Sequence, residues 1–561
     1  MMKPLCKNKI IAKLVCWVVL ITLLRCGVTA FQQAYTWVGG APLDDELMFR
    51  AANAITAGQW LGPYDYLTLS KGMFFAVWLA FLHALHIPYL LGGALLWCAA
   101  SGLAAAALSP LWRGTRPAVR ARLAGALYAL LAFLPSGWAS YTLRVYRDNI
   151  FPALCLLLFA GLGGAALRAV QTPCPRLWPW CLAAGLGFAA AWLTREDAGL
   201  FLLPFALAGT AIAAVALLRR RRVRQAATLA LPWAVLAAGI FTVCALNSRY
   251  YGVFALSDFA SGSFADAMGA MTRVATDSDE PLLSVPADAR QKLYEAVPEL
   301  RPLGTWLEED PQLQNDFRDP VLDDYRAGSF YWAIRRAAQF EGVYETAQTA
   351  DAYWASVAAA INTACDNGTL PTRSGPRSGT SQPVRGQYVA PTLAEAAKSL
   401  VWVLTFQDCP AYYAELRSIG TEVDFAAWSA YLHCGLNGAA QAGLDLPYYH
   451  PLQLLAYRLL AVLRWGYAVA LCLGFALALV QFCRSLSAAW RARAQGGMVP
   501  WLLLLGFLGM AALRCGMIAF VEVSSFGIGT STMYLATVHP LLVLFSFGSL
   551  VLGPPLRKRA A

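Results

Sequence analysis

Apolar runs of bilayer-spanning length recur along this chain, separated by short polar turns. A hydrocarbon core of roughly 30 Å needs about 20 apolar residues per helix. Runs near that length stand at 14–31, 88–111, 123–140, 150–167, 178–194, 199–218, 226–246, 465–483, 498–520 and 531–552. They are rich in Leu, Ala and Gly and lack the period-two alternation of a membrane barrel. The pattern predicts an all-α polytopic membrane protein with about 10–11 transmembrane helices. The stretch 72–111 is too long for one helix and breaks at Ile87-Pro88. We read 88–111 as the span and 72–86 as a tilted or re-entrant helix, because the charges on either side require an odd number of crossings.

The one long polar interval, 247–450, divides the chain into three parts. Residues 1–246 form an N-terminal transmembrane bundle with a first outer loop at 31–71, 247–450 an extracytoplasmic domain, and 451–561 the C-terminal transmembrane helices. Aromatic and Ala positions at helical spacing over 328–363 predict a mostly helical domain. The Gly, Pro and Ser-rich stretch 366–392 reads as a mobile loop.

Charge placement gives the orientation. Short loops carry Lys3, Lys7, Lys9 and Lys13; Arg113, Arg116, Arg120 and Arg122; Arg168 and Arg176; Arg219 to Arg222 with Arg224; Arg484, Arg491 and Arg493; and Arg557, Lys558 and Arg559. These are 21 of the 44 Lys and Arg, and no Asp or Glu lies among them. They read as cytoplasmic, with both termini inside. The acidic residues then fall on the outer face, so the net charge of +11 is a topology signal and not a nucleic-acid surface. Hydrophobic residues at 58% against 14% charged exceed what a soluble core needs, and membrane lipid is the expected surrounding. The first apolar run has no small-residue cleavage site and is interrupted by Arg25, which reads as a retained anchor helix.

Most of the 14 cysteines lie in apolar helices. Cys365, Cys409 and Cys434 lie in the outer domain, where one disulfide is open to them; their spacing fits no metal motif. Leu24-Arg25-Cys26-Gly27 is echoed by Leu513-Arg514-Cys515-Gly516. An arginine inside a span either snorkels to the headgroups or faces a polar cavity, where it can hold an anionic headgroup.

Ionisable residues gather at outward-facing helix ends. They are Asp44-Asp45-Glu46 in the first outer loop, Lys71 closing it, Arg144-Val-Tyr-Arg147-Asp148 between two spans, and Arg195-Glu196-Asp197 between two more. Each turn alone is ordinary, since turns between membrane helices meet water. Together, carboxylates beside cations at one membrane face suit a site where a carboxylate takes a proton while cations hold a phosphate. A neighbouring cation also keeps such a carboxylate ionised.

Asp45-Glu46-Leu47-Met48-Phe49, Ser70-Lys71-Gly72-Met73-Phe74, the Arg-x-x-Arg-Asp turn at 144–148, and Tyr534-Leu535 with Pro540-Leu541-Leu542 resemble the GT-C membrane glycosyltransferases. The protein O-mannosyltransferases and lipid A aminoarabinose transferases are nearest in layout. The resemblance implies an inverting transferase that moves a sugar from a polyprenyl-phosphate-linked donor to an acceptor hydroxyl, at the outer face of a bacterial plasma membrane. It makes Asp45 the general base, Asp44 its nearest alternative, Lys71 a phosphate contact and Asp148 the second acidic residue. Glu46, Arg144, Arg147, Arg195, Glu196 and Asp197 complete the substrate-binding set. Gly72-Met73 replaces the Pro-Pro that usually follows the Lys, and Met533 stands where an Arg often precedes Tyr-Leu. The basic residues can hold the phosphate alone, and three successive carboxylates also suit a hard divalent cation, so the sequence leaves a metal open. Two other classes remain: a transporter or flippase with intramembrane arginines along its path, and an assembly protein whose outer domain binds a partner.

Overall fold

A computed structural model describes residues 3–37, 42–374, 379–380, 382–411, 418–437, 451–527, 529 and 531–552. Tyr448 and Tyr449, aromatic residues that the sequence places as anchors of the outer domain at the membrane interface, and the basic group Arg557, Lys558 and Arg559 lie outside these residues. Among the described residues the secondary structure is helical, with isolated bridges and no extended sheet.

Among the described residues seven helices are long and apolar enough to cross a bilayer: Lys9–Ala30, Tyr89–Trp112, Arg147–Ala169, Ala198–Leu218, Val223–Tyr251, Pro451–Arg491 and Met498–Phe526. The pair Pro117–Ala132 and Pro135–Leu143, bent by 56°, makes an eighth if it is one span. Two further expected runs form shorter helices, Trp178–Trp192 and Val538–Val551. At 1.5 Å per residue they reach only about 21–23 Å. Phe74–Ala84 is a separate 11-residue helix before Tyr89–Leu108, so the break at Pro88 falls where the sequence puts it. Prolines in the first turn start several of these helices, and Gly252, in the left-handed region, ends Leu231–Tyr251.

Phe151–Ala169 is the axle of the bundle, buried along almost its whole length. It packs against Tyr89–Leu108, Trp178–Trp192, Ala198–Leu218 and Met498–Val521. Gly161 makes the closest of these crossings possible, because a Cβ there would sit 2.6 Å from the Ala184 nitrogen.

A second hydrophobic core, from Phe264 to Leu370, belongs to the polar interval and is built largely from Ser263–Met271, Ala327–Phe340 and Ala347–Asp366. The rest of that interval packs differently. Gly386–Thr405 begins inside the stretch expected to be a loop and lies along Pro451–Arg491 and Met498–Val521. Val403, Phe406, Cys409, Trp428, Tyr431 and Leu436 join the core of the transmembrane helices. Cys409 and Cys434 are free thiols, which removes every pairing among the three outer cysteines.

The two ends of the bundle differ in charge. Arg220 and Arg222 donate to the carbonyls of Ala169 and Gln171, and Arg113 and Arg484 line one cavity of about 630 Å³. The acidic residues collect at the opposite end.

Candidate active site at the acidic end of the bundle

The first outer loop starts as an extended strap. Ala34, Tyr35 and Trp37 form bridges with Leu436, Arg144 and Ile419. A π-helical turn, Pro42–Glu46, then opens Leu47–Thr56. This turn sends its two aspartates to different surroundings. Asp45 is fully buried. Its Oδ1 accepts from Arg144 Nε at 2.8 Å and lies 2.5 Å from Arg144 Nη2. Its Oδ2 accepts from the Trp37 N–H at 3.0 Å and the Thr36 hydroxyl at 3.3 Å. Asp44 keeps a third of its side chain exposed. It pairs with Lys71, accepts from the Tyr146 hydroxyl at 2.7 Å, and lies 3.7 Å from Arg144 Nη2. Glu46 is half-buried and makes no capping hydrogen bond.

Lys71 reaches Asp44 because the chain after it docks tightly. Gly72 N–H donates to Glu196 Oε1 at 2.7 Å and Phe74 N–H to the Leu193 carbonyl at 2.9 Å. A Cβ on Gly72 would meet the Leu193 carbonyl oxygen at 2.6 Å, so this contact accepts glycine alone. The departure Gly72-Met73 therefore has a structural reason.

Arg147 donates to both Glu196 oxygens at 2.8 and 3.0 Å and to the Tyr146 hydroxyl at 2.7 Å. Arg195 joins Asp148 at 3.2 Å and Asp197 at 3.0 Å. Arg514 pairs with Asp197 at 2.5 Å and donates to the Tyr534 carbonyl at 3.0 Å. The nine ionisable residues Asp44, Asp45, Lys71, Arg144, Arg147, Asp148, Arg195, Glu196 and Asp197 are thus joined at one end of the bundle, although whole helices separate their loops in sequence. Asp44, Asp45, Asp148, Glu196 and Asp197 balance Lys71, Arg144, Arg147, Arg195 and Arg514 in charge.

Burial raises the carboxyl of Asp45 above the usual carboxylate range, against the pull of Arg144. Burial would raise Asp44 too, but Lys71 and Arg144 outweigh it and hold Asp44 well below that range. The same balance depresses Glu196 through Arg147 and Asp197 through Arg195 and Arg514. Burial lowers the Lys71 ammonium against the opposing effect of Asp44.

Arg25 and Arg514 are both buried, so neither snorkels. Arg25 donates to the Gly137 carbonyl at 2.5 Å and to Thr29, whereas Arg514 belongs to the acidic network. The sequence echo therefore covers two different jobs. Reading from sequence left Arg514 outside the site, along with Tyr146, Trp37 and Trp332. The indole of Trp332, from the polar domain, lies 5.2 Å from the Lys71 ammonium, and Trp37 faces Arg144 at 4.3 Å. An arginine inside a span was the signal for Arg514; its partner lies too far away in sequence to be identified.

A cavity of about 270 Å³ adjoins the network at Gly72 and Glu196, its walls mostly apolar, with Trp60, Met73, Trp192 and Val243 among them. Asp45 does not line it. The carboxylates of Asp44, Asp45 and Glu46 do not gather as a metal-ligand group; among the described residues the group that does is Asp408, Cys409 and His539.

No family model and no curated protein matches the chain. Among solved structures, the crystal structure of ArnT from Cupriavidus metallidurans in the apo state aligns over 95% of this chain and 78% of its own, at 14% identity and a TM-score of 0.28. A likeness of that size establishes neither a common fold nor a common chemistry.

Proposed function

We propose that this protein is a membrane glycosyltransferase of the GT-C type, moving a sugar from a polyprenyl-phosphate-linked donor to an acceptor hydroxyl. The observation that carries this reading is the meeting of Asp44, Lys71, Arg147, Arg195 and Glu196 at one end of the bundle, beside an apolar cavity. The resemblance of the motifs around them to GT-C enzymes supplies the reaction class. The acceptor oxygen attacks the anomeric carbon, its proton passes to a carboxylate, and the donor phosphate leaves with the electrons of the broken C–O bond. Attack opposite the leaving group inverts the anomeric centre.

A base must reach the acceptor. Asp45 has both oxygens engaged and no exposed surface, whereas Asp44 is partly open. The reading accordingly moves the base from Asp45 to Asp44 and gives Asp45 the task of holding Arg144. A donor phosphate taking Lys71 releases Asp44 from its cation and raises its affinity for a proton, so donor binding readies the base. The cavity walls suit the first isoprene units of the donor. The missing Arg before Tyr534 has a counterpart in space, since Arg195 lies 4.5 Å from that ring and Arg514 donates to the Tyr534 carbonyl.

The test is turnover by purified protein in detergent. Incubation with a polyprenyl-phosphate sugar and a mixed acceptor pool is expected to release polyprenyl phosphate in step with sugar transfer. Movement of the donor across liposomes without turnover would replace this reading by the transporter.

A further inference from the structure

We propose a second site in this protein, a buried binding site for a borderline-soft divalent cation, best fitted by zinc, formed by Asp408, Cys409 and His539. None of these residues takes part in the acidic network. Asp408 and Cys409 follow the helix Gly386–Thr405, and His539 lies in the first turn of Val538–Val551. All three are buried.

The ligand atoms surround one point. His539 Nε2 lies 3.1 Å from Asp408 Oδ1 and 3.5 Å from Cys409 Sγ, and Sγ lies 3.5 Å from Oδ1. With zinc–nitrogen and zinc–oxygen bonds of about 2.0–2.1 Å and zinc–sulfur of about 2.3 Å, tetrahedral vertices stand about 3.3–3.6 Å apart. The two separations to sulfur, 3.5 Å each, fall within that range, and the nitrogen–oxygen separation of 3.1 Å is slightly shorter than a zinc ion would set it. One thiolate, one carboxylate and a neutral imidazole also leave a divalent cation with no net charge, which suits a site cut off from water.

The same geometry argues against a nucleophilic triad. In a triad the imidazole relays between its two nitrogens, one toward the nucleophile and one toward the carboxylate. Here both partners approach Nε2, and Nδ1 is buried without a partner among the described residues. Asp408 Oδ2 is likewise buried and unpartnered, and the Tyr141 hydroxyl, 3.4 Å from Sγ, is an oxygen available for a fourth position. Phe406 stacks on the His539 ring at 4.9 Å and holds its plane. A cation here would clamp the last helix to the segment that follows Gly386–Thr405. Tyr534 lies just before that helix, across a turn at 535–537, and its ring stands 4.5 Å from Arg195, so the clamp also steadies one wall of the acidic site.

X-ray absorption at the zinc edge decides the matter on the full chain, purified in detergent, stripped with chelator and reloaded with zinc. The expected spectrum has a sulfur shell at about 2.3 Å with nitrogen or oxygen at about 2.0–2.1 Å. The sulfur shell should vanish in Cys409→Ser and persist in Cys155→Ser. A wild-type spectrum with nitrogen and oxygen only, or a sulfur shell that survives Cys409→Ser, overturns the proposal. Should Cys409→Ser fail to fold, a chain with serine at every other cysteine takes its place; it must keep the shell, and losing it overturns the proposal equally.

Discussion

Asp44 and Asp45 are neighbours in sequence and opposites in environment. Replacing Asp45 by Asn removes the nearer carboxylate of the buried Arg144 guanidinium and leaves only Asp44, 3.7 Å away; breaking a buried pair costs up to about 3–5 kcal/mol. Thermal unfolding in detergent should therefore show a large loss for Asp45→Asn and a small one for Asp44→Asn. Equal losses would contradict the division of labour. Acid should act through the depressed carboxylates of Asp44, Glu196 and Asp197. Their folded-state values lie below the unfolded ones, so their contribution is complete above about pH 4 and is lost as pH falls through the folded values. Asp45, raised, acts in the opposite sense. Melting temperature should accordingly drop below about pH 4. Arg514→Met, which removes one of the two cations on Asp197, should lower stability at neutral pH and flatten that acid limb; an unchanged limb would count against the pairing. The ionisable residue types of the site were legible because charge is conspicuous in an apolar chain. Which aspartate faces outward was not, because the π-helical turn and the Trp37 N–H decide it.

At the scale of elements, the join between the first outer loop and the turn after Trp178–Trp192 rests on Gly72. Gly72→Ala forces a Cβ against the Leu193 and Thr194 backbone, which cannot rotate away. A cost of about 1–3 kcal/mol and displaced Lys71 are expected, read as a lower melting temperature with weakened donor binding. The helix Gly386–Thr405 offers a second check. It carries Glu395 and Lys398, so in sequence it reads as part of a polar domain. In the fold it packs on transmembrane helices and turns Leu393 and Val401 outward. Cysteines placed at these two positions in a bilayer should resist a water-soluble maleimide, whereas Val321→Cys, at an exposed position in the polar domain, should react. Equal labelling would place the helix in water. The positions of the spanning helices were readable from apolar length, whereas that of Gly386–Thr405 was not. The short helix Trp178–Trp192 stops just before Thr194 to Asp197, which are committed to polar contacts, and Val538–Val551 is separated from Ser531–Tyr534 by a turn at 535–537.

The whole molecule has a basic end and an acidic end, and the positive-inside rule predicts that the acidic end lies outside. Asp279→Cys should react with an impermeant thiol reagent on intact cells and Thr115→Cys only after permeabilisation; the reverse would invert the topology. This division was readable because the short basic loops contain no Asp or Glu. The docking of the polar domain on the site was only partly so, since the approach of Trp332 to Lys71 joins residues far apart in the chain. The central claim is that Asp44 takes the acceptor proton while Lys71 holds the donor phosphate. Sugar transfer and donor binding measured side by side on Asp44→Asn and Lys71→Ala test it most directly. The account predicts that Asp44→Asn lowers turnover by about 10² or more with donor binding retained, and that Lys71→Ala weakens donor binding. Normal transfer by Asp44→Asn, or equal loss of donor binding in both variants, would contradict it.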